Sequence, residues 1–304
     1  MLGRRSLSTL CSVACNFNGS RHFRNTGPSP MKPSHPHLQA KSEALHACLR
    51  EHAPLLVAYS GGVDSAYLLA EARRVLGRDQ VLGVIADSAS LPRKALAAAL
   101  DLAREMDAQV EVVPTSELEN PDYAQNPVNR CYFCKAELFS RLERIASERG
   151  FRGLAYGENA DDMAQVRPGR RAAEEFSVLA PLRDAGWTKV EIREVSRSLG
   201  LPTADAPAQP CLSSRIPHGT PVTADALAMV ESGEEWVRSL GFSVFRVRHV
   251  VLPDGSGVVA RVQIAPEEMH RVAGQRERME SGLRAVGYSA VEVDPAGYRA
   301  PAGA

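Results

Sequence analysis

Apolar positions along this chain follow two rhythms that take turns. Short continuous apolar runs, Leu55-Leu56-Val57-Ala58-Tyr59, Val81-Leu82-Gly83-Val84-Ile85-Ala86, Val110-Glu111-Val112-Val113 and Gly153-Leu154-Ala155-Tyr156, predict buried strands at 54–59, 81–86, 110–113 and 153–156. Between and around them apolar residues recur at helical spacing, predicting helices over 38–50, 65–76, 92–106 and 132–149, the third opened by Pro92. Strands alternating with helices predict βαβ units, hence an α/β fold on a doubly wound parallel sheet. Ligands of such sheets bind beyond the carboxyl ends of the strands. Three polar segments fall there: Ser60–Ser65, Asp87-Ser88 and Gly157–Asp162.

A different pattern follows a helix at 188–199 and a proline-rich stretch at 202–221. It predicts a helix at 223–240, a strand at 243–250, a turn at Asp254–Gly257, a strand at 257–264, a helix at 266–285 and a strand at 289–293. The expected organisation is an extension at 1–36 outside the fold, a nucleotide-binding domain at 37–215, and a smaller α+β domain at 220–295 for substrate or oligomerisation. Residues 296–304 form a small-residue tail.

Composition narrows the class. With 304 residues, 44% hydrophobic and 24% charged, the chain has the make-up of an ordinary globular protein of one large or two ordinary domains. A formal net charge of zero gives no general attraction to nucleic acid or to an anionic membrane. No run approaches the roughly 18 apolar residues of a membrane span. The expectation is a soluble, cytoplasmic protein without nucleic-acid or membrane partners. The first 40 residues carry Arg4, Arg5, Arg21 and Arg24 with no acid before Glu43, as organellar transit peptides do. A disordered tail, or a start at Met31 just before the first helical pattern, is the preferred account. Six cysteines are too few for a disulfide-stapled secreted fold and favour a reducing compartment.

The chemistry starts at Ser60-Gly61-Gly62-Val63-Asp64-Ser65, between a strand and a helix. Two glycines let the backbone turn tightly against a ligand, and the N–H groups of the turn and helix start form a nest for an anion. Ser60 and Ser65 add hydroxyls, and Asp64 suits a phosphate site only through a magnesium ion. No lysine follows the glycines, so this is not a Walker loop. Cys131 and Cys134 form a C-x-x-C at a loop-to-helix junction, where both thiols can share one metal or cluster. Cys211, in a proline-stiffened loop, is the obvious third ligand. Three thiols fit an iron–sulfur cluster with one open iron better than a four-ligand zinc site, while a redox pair or incidental cysteines remain the alternatives. Arg215 can hold an anion or favour the thiolate. Arg246 and Arg248 project from one face of a strand and suit a phosphate or carboxylates, or else ordinary surface salt bridges.

The glycine-rich turn resembles the PP-loop of the ATP pyrophosphatases. Ala58–Ser65, Ser90–Arg93, Asn126–Lys135, Gly157–Asp162, Arg167–Arg170, Leu179–Leu182, Cys211–Pro221 and Arg246–His249, in that order, resemble the LarE-type, ATP-dependent sulfur transferases of nickel-pincer nucleotide biosynthesis. The resemblance implies adenylation of a carboxylate of a pyridinium dicarboxylate mononucleotide, release of pyrophosphate, and displacement of AMP by sulfur. It implies ATP on Ser60, Gly61, Gly62, Val63, Asp64 and Ser65, with Asp87, Ser88 and Gly157 completing the nucleotide site. Magnesium would lie on Asp64 and Asp161, and Ser214, Arg215, Arg246 and Arg248 would hold the substrate's phosphate or the pyrophosphate. Asp64 and Cys211 would be catalytic. Cys131, Cys134 and Cys211 match the version of the family that carries a 4Fe–4S cluster rather than the version that sacrifices a single cysteine. A homo-oligomer and sulfide or another sulfur donor are further expectations. Two departures stand out: Glu158 where the family has threonine, and the extra stretch Leu252–Gly257. The rivals are a tRNA-thiolating enzyme of similar chemistry, opposed by the neutral charge, and a non-catalytic ATP or redox sensor.

Overall fold

A computed structural model of the chain describes residues 36–164, 168–207 and 209–298. The extension at 1–36 lies, apart from Pro36, outside the described residues, as do Arg167, Ala208 and the end of the tail. Helix α1 (Pro36–Glu51) leads to β1 (Leu55–Ala58), α2 (Val63–Leu76), β2 (Val81–Asp87), α3 (Arg93–Glu105) and β3 (Val110–Pro114). Then come α4 (Pro121–Ala124), α5 (Arg130–Arg149), β4 (Gly153–Tyr156), α6 (Pro168–Glu175), α7 (Pro181–Asp184) and α8 (Lys189–Ser198). The chain closes with α9 (Ala224–Ser239), β5 (Phe245–Val251), β6 (Val258–Ile264), α10 (Val272–Val286) and β7 (Ala290–Val293).

The first four strands form one parallel sheet in the order β3-β2-β1-β4. Both faces are covered, as the continuous apolar strands require. Leu55, Val57, Val81 and Ile85 face a core shared with α1, α2 and α3. Leu56, Leu82 and Val84 face the opposite way, against Phe139, Leu142 and Ile145 of α5 and Ala172 and Ala173 of α6. This is the expected doubly wound α/β fold. The chain runs outward from β1 through β2 to β3, then returns to lay β4 on the other side of β1. The crevice where the order reverses therefore opens between the ends of β1 and β4, the place where such sheets bind ligands.

The last three strands form a separate sheet in the order β5-β6-β7, with β5–β6 antiparallel and β6–β7 parallel. Its core gathers Phe245, Val247, Val262 and Ile264 with Val237 of α9 and Met279 and Leu283 of α10. Details differ from the sequence reading. Pro92 caps α3 rather than entering it, because its ψ of 133° is extended. The expected helix at 266–285 begins as a 3-10 turn over Pro266–Arg271 and becomes α-helical at Val272. The short helices α4, α6 and α7 carry too few turns to show a helical period and were missed. Among the described residues no helix is long and apolar enough to cross a membrane.

Candidate active site

The turn after β1 is braced by its own hydroxyls. The Ser60 N–H donates to Ser65 Oγ at 3.1 Å, the two hydroxyls lie 3.0 Å apart, and Ser65 Oγ donates to the Gly62 carbonyl. Gly61 has φ +73°, and a Cβ there would come within 2.6 Å of Ala99 Cβ, so only glycine fits. Gly62 caps α2 without any side-chain hydrogen bond, leaving the first N–H groups of the helix turned toward the crevice end of the sheet. Gly157, at the end of β4, lies against the start of α2: a Cβ would meet Ser65 N at 2.7 Å. The structure thus brings Ser60–Ser65 and Gly157 together across the crevice.

Asp64 sits in the first turn of α2, largely buried. Its Oδ2 accepts from Lys189 Nζ at 2.7 Å, while its Oδ1 is buried with no hydrogen-bond partner among the described residues. Burial pushes the carboxyl up, against the Lys189 ammonium, and the nearby Asp162 carboxylate pushes it further. The Asn159 side chain, close by but outside hydrogen-bond geometry to Oδ1, pulls the carboxyl down slightly. A buried carboxylate oxygen without a donor, close to a second carboxylate, fits a hard cation with oxygen ligands. The second carboxylate is Asp162. Asp161, the expected magnesium partner, is exposed, and its Oδ2 accepts the N–H of Lys189 at the start of α8. Lys189 lies far along the chain from the glycine-rich turn, and sequence reading missed it. Asp87, at the end of β2, is paired with the Arg93 guanidinium, which also donates to the Ser88 carbonyl at 2.7 Å.

Glu158 departs from the expected threonine for a visible reason. It is 4% exposed and accepts from Tyr156 Oη at 2.6 Å, Arg170 Nε at 3.0 Å and Arg183 Nη1 at 2.9 Å. Arg170 also donates to the Asp162 carbonyl at 2.6 Å, so the ion-pair hub braces the loop that carries Asp162.

A second group of residues gathers where the Cys211 loop meets the start of α5. The Leu212 N–H donates to the Ser90 carbonyl at 2.8 Å, fastening this loop to the turn after β2. Tyr123 Oη lies 2.7 Å from Ser213 Oγ. Asn126, fully buried with φ +59°, donates from Nδ2 to the carbonyls of Pro217 and Thr220, both at 2.8 Å, and to that of Ile216. Its Oδ1 accepts from Arg130 Nη1, which also donates to the Ser213 carbonyl at 3.1 Å. The pattern signal for Asn126 and Arg130 was slight: both stand inside the quoted Asn126–Lys135 stretch, without a role.

Cys131 and Cys134 lie in the first turns of α5, the former exposed and the latter half-buried, and Cys211 is half-buried; none is in a disulfide. Burial pushes the Cys134 thiol up, with Glu117, Cys211 and Cys131 adding to it. Burial also pushes up Cys211, opposed chiefly by the Arg130 charge. The three thiols therefore feel one another. Their chemistry suits a soft metal or an iron–sulfur cluster. Among the described residues, however, no three His, Cys, Asp or Glu side chains converge closely enough to hold a metal ion as they stand.

Arg215 has its donors committed within the protein. Nε and Nη2 grip Glu234 at 2.8 and 3.0 Å, and Nη1 donates to the Pro210 and Cys211 carbonyls and to Ser214 Oγ. Expected as a substrate ligand, it holds the Cys211 backbone in this structure. Arg246 and Arg248 do share one face of β5. Arg246 stacks on Tyr298 at 4.5 Å, and Arg248 donates to the Ser214 carbonyl at 2.7 Å and to Gln263 Oε1 at 2.8 Å. Burial and the neighbouring Arg215 charge pull both guanidiniums below their usual range. A cavity of about 400 Å³ opens here, with Arg130, Ser214, Arg215, His218, Arg248 and Arg261 on its wall.

A doubly wound parallel sheet with a Ser-Gly-Gly-Val-Asp-Ser turn at its switch point defines a PP-loop protein. No family model matches the chain. It is 31% identical over 262 residues, 86% of this chain and 93% of the relative, to the pyridinium-3,5-bisthiocarboxylic acid mononucleotide synthase of Lactiplantibacillus plantarum. It is also 40% identical over 234 residues, 77% of this chain and 85% of the relative, to an uncharacterized protein of Synechocystis. An uncharacterized protein of Methanocaldococcus jannaschii is 26% identical over 64% of this chain and 73% of its own length. The chain belongs to the LarE-type family of sulfur transferases.

Proposed function

We propose that this chain uses ATP to activate the carboxylates of a pyridinium-3,5-dicarboxylic acid mononucleotide and replaces carboxylate oxygen with sulfur, in nickel-pincer nucleotide biosynthesis. The observation that carries this reading is the Leu212–Ser90 backbone bond, which ties the cysteine loop to the turn after β2, the strand beside the one that enters the nucleotide turn. That tie supports a reading in which activation and sulfur delivery take place side by side.

In the first half, the triphosphate lies along Ser60–Ser65 and Gly157, with the helix start and the two hydroxyls donating to it. A substrate carboxylate oxygen attacks the α-phosphorus, the bond to the β-phosphate oxygen breaks, and pyrophosphate leaves. Asp64 and Asp162 would hold magnesium, which neutralises phosphate charge when bound. Lys189, which donates to Asp64 in this structure, would also be within the crevice to donate its ammonium to the phosphates. In the second half, sulfur from the cysteine site attacks the acyl carbon and AMP departs with its bonding pair. AMP is the better leaving group, which is why the carboxylate is activated first.

Cys131, Cys134 and Cys211 would together hold a 4Fe–4S cluster, whose open iron would supply the sulfide that is transferred. Arg246, Arg248 and Ser214 hold the substrate's phosphate, and Arg215 keeps the Cys211 backbone in place. Anaerobically purified protein is expected to contain iron and acid-labile sulfide. With ATP and the dicarboxylate mononucleotide it is expected to release pyrophosphate and yield a thiocarboxylate detectable by mass spectrometry. Absence of pyrophosphate release with this substrate would sink the activation step. Conversion of Cys211 to dehydroalanine during turnover would replace the cluster by a sacrificial cysteine.

A further inference from the structure

Arg130 is a buried cation without an anion. It is 4% exposed at the first position of α5, and among the described residues its only side-chain hydrogen bonds, both from Nη1, go to the neutral acceptors Asn126 Oδ1 and the Ser213 carbonyl. Among the described residues no carboxylate pairs with it. Buried charges are ordinarily paired, because leaving water without a counter-charge costs several kcal/mol. Two other arginines on the same cavity wall have such partners: Arg215 grips Glu234, and Arg261 lies 3.3 Å from Glu292. Arg248 resembles Arg130 in having only neutral acceptors, the Ser214 carbonyl and Gln263.

The cavity thus presents two uncompensated guanidiniums, one from each sheet region. The two differ in their surroundings. Arg130 immediately precedes Cys131 and donates to the carbonyl of Ser213, two residues beyond Cys211. Arg248, on the second sheet, belongs to the β5 face with Arg246 and donates to the Ser214 carbonyl and to Gln263. In a mononucleotide with two ring carboxylates, the phosphate lies a ribose away from the ring, and the carbon that receives sulfur lies on the ring. The guanidinium beside the sulfur therefore faces the ring end.

We propose that Arg130 is the anchor for the second ring carboxylate, which its planar fork binds while the other carboxylate is activated, so that it sets the preference for a dicarboxylate over a monocarboxylate. This rests on the function proposed above and adds a residue and a specificity rule to it. Arg130 is suited to the task because a guanidinium pairs bidentately with a carboxylate and is already oriented by Asn126 and Ser213.

The test measures binding to the intact protein by calorimetry, using the mononucleotides of pyridinium-3,5-dicarboxylate and of pyridinium-3-carboxylate. Wild type is expected to prefer the dicarboxylate by about tenfold or more, the range of a charge-assisted hydrogen bond. Arg130→Gln, which can keep the bond to the Ser213 carbonyl, is expected to bring the two ligands within about twofold by weakening only the dicarboxylate. Arg130→Lys is expected to retain part of the preference, and ATP binding measured on each variant reports an intact fold. If Arg130→Gln weakens both ligands equally, Arg130 holds the phosphate or only supports the loop, and the proposal is overturned. Preference retained in both variants overturns it as well. Wild type that binds the dicarboxylate but releases no pyrophosphate with ATP points instead to failure of the activation chemistry, a separate result.

Discussion

The two ends of the proposed site are built in opposite ways. The nucleotide end is one continuous turn, Ser60–Ser65, whose bracing hydrogen bonds span no more than five residues. The sulfur end is assembled from segments far apart in the chain: Asn126–Cys134, Pro210–Thr220, Glu234 and the β5 arginines. Asn126 alone spans 90 residues to Ile216 and 94 to Thr220. A local turn is rigid because short loops close at little entropic cost. An assembled site depends on whatever holds its pieces together, here a buried amide, a buried ion pair and one backbone bond. Damage to the two ends should therefore look different.

The largest separation is expected from Cys211→Ala. Thiocarboxylate formation should fall to background by mass spectrometry, while pyrophosphate release stays within about threefold of wild type, since only the second half-reaction loses its sulfur. A thiocarboxylate product from this variant would erase the division of labour. Gly61→Ala strikes the other end. An L-residue at φ +73° with its Cβ on Ala99 should cost about 1–3 kcal/mol of stability and at least about tenfold in ATP affinity. Equilibrium binding of a fluorescent ATP analogue measures the second effect.

Asn126→Ala tests whether assembly is the weak point of the sulfur end. It strips the donor from the carbonyls of buried Ile216 and of Pro217 and Thr220, and an acceptor from buried Arg130, for an expected loss of about 3 kcal/mol in urea unfolding. ATP affinity at low temperature should survive and sulfur transfer should not. Equal losses of both would show that the two ends do not fail separately.

The smallest effect concerns Glu158 and acid. Burial pushes its carboxyl up, but the Tyr156 and Arg170 hydrogen bonds and the Arg170 and Arg183 charges outweigh this and leave it below the ordinary 4.5. A group depressed in the folded state stabilises fully above its unfolded value, and that contribution disappears as pH falls through the folded value. Urea midpoints for Glu158→Gln should accordingly run closer to wild type below about pH 4 than at neutrality. Parallel curves would mean that Glu158 is already protonated in the fold.

Legibility followed the same divide. The parallel sheet, its strand limits and the glycine-rich turn could be read because continuous apolar runs, βαβ alternation and Ser-Gly-Gly-Val-Asp-Ser are local signals. Lys189 could not, since its tie to Asp64 spans 125 residues and nothing near it marks a phosphate site. Asp161 read as the magnesium partner without its neighbour Asp162, because nothing local in the sequence shows that the loop leaves Asp161 exposed and buries Asp162. Arg215 read as a free cation because the Glu234 that occupies it lies on another helix. The three thiols were legible as a candidate set because Cys131 and Cys134 share a C-x-x-C and Cys211 was the obvious remaining partner, while the 4Fe–4S assignment came only from the resemblance.

Lys189 has a consequence for timing. In the resting protein it already supplies Asp64 with a counter-ion, so a divalent cation arriving alone must evict an ammonium that has nowhere better to go. A cation arriving on a triphosphate brings a new resting place for that ammonium. If Asp64 holds magnesium as proposed, this ion pair would set the order of entry, with metal and nucleotide coming together. Magnesium titrated without nucleotide should bind weakly to wild type and more tightly to Lys189→Met, a reversal that an ordinary supporting salt bridge would not produce.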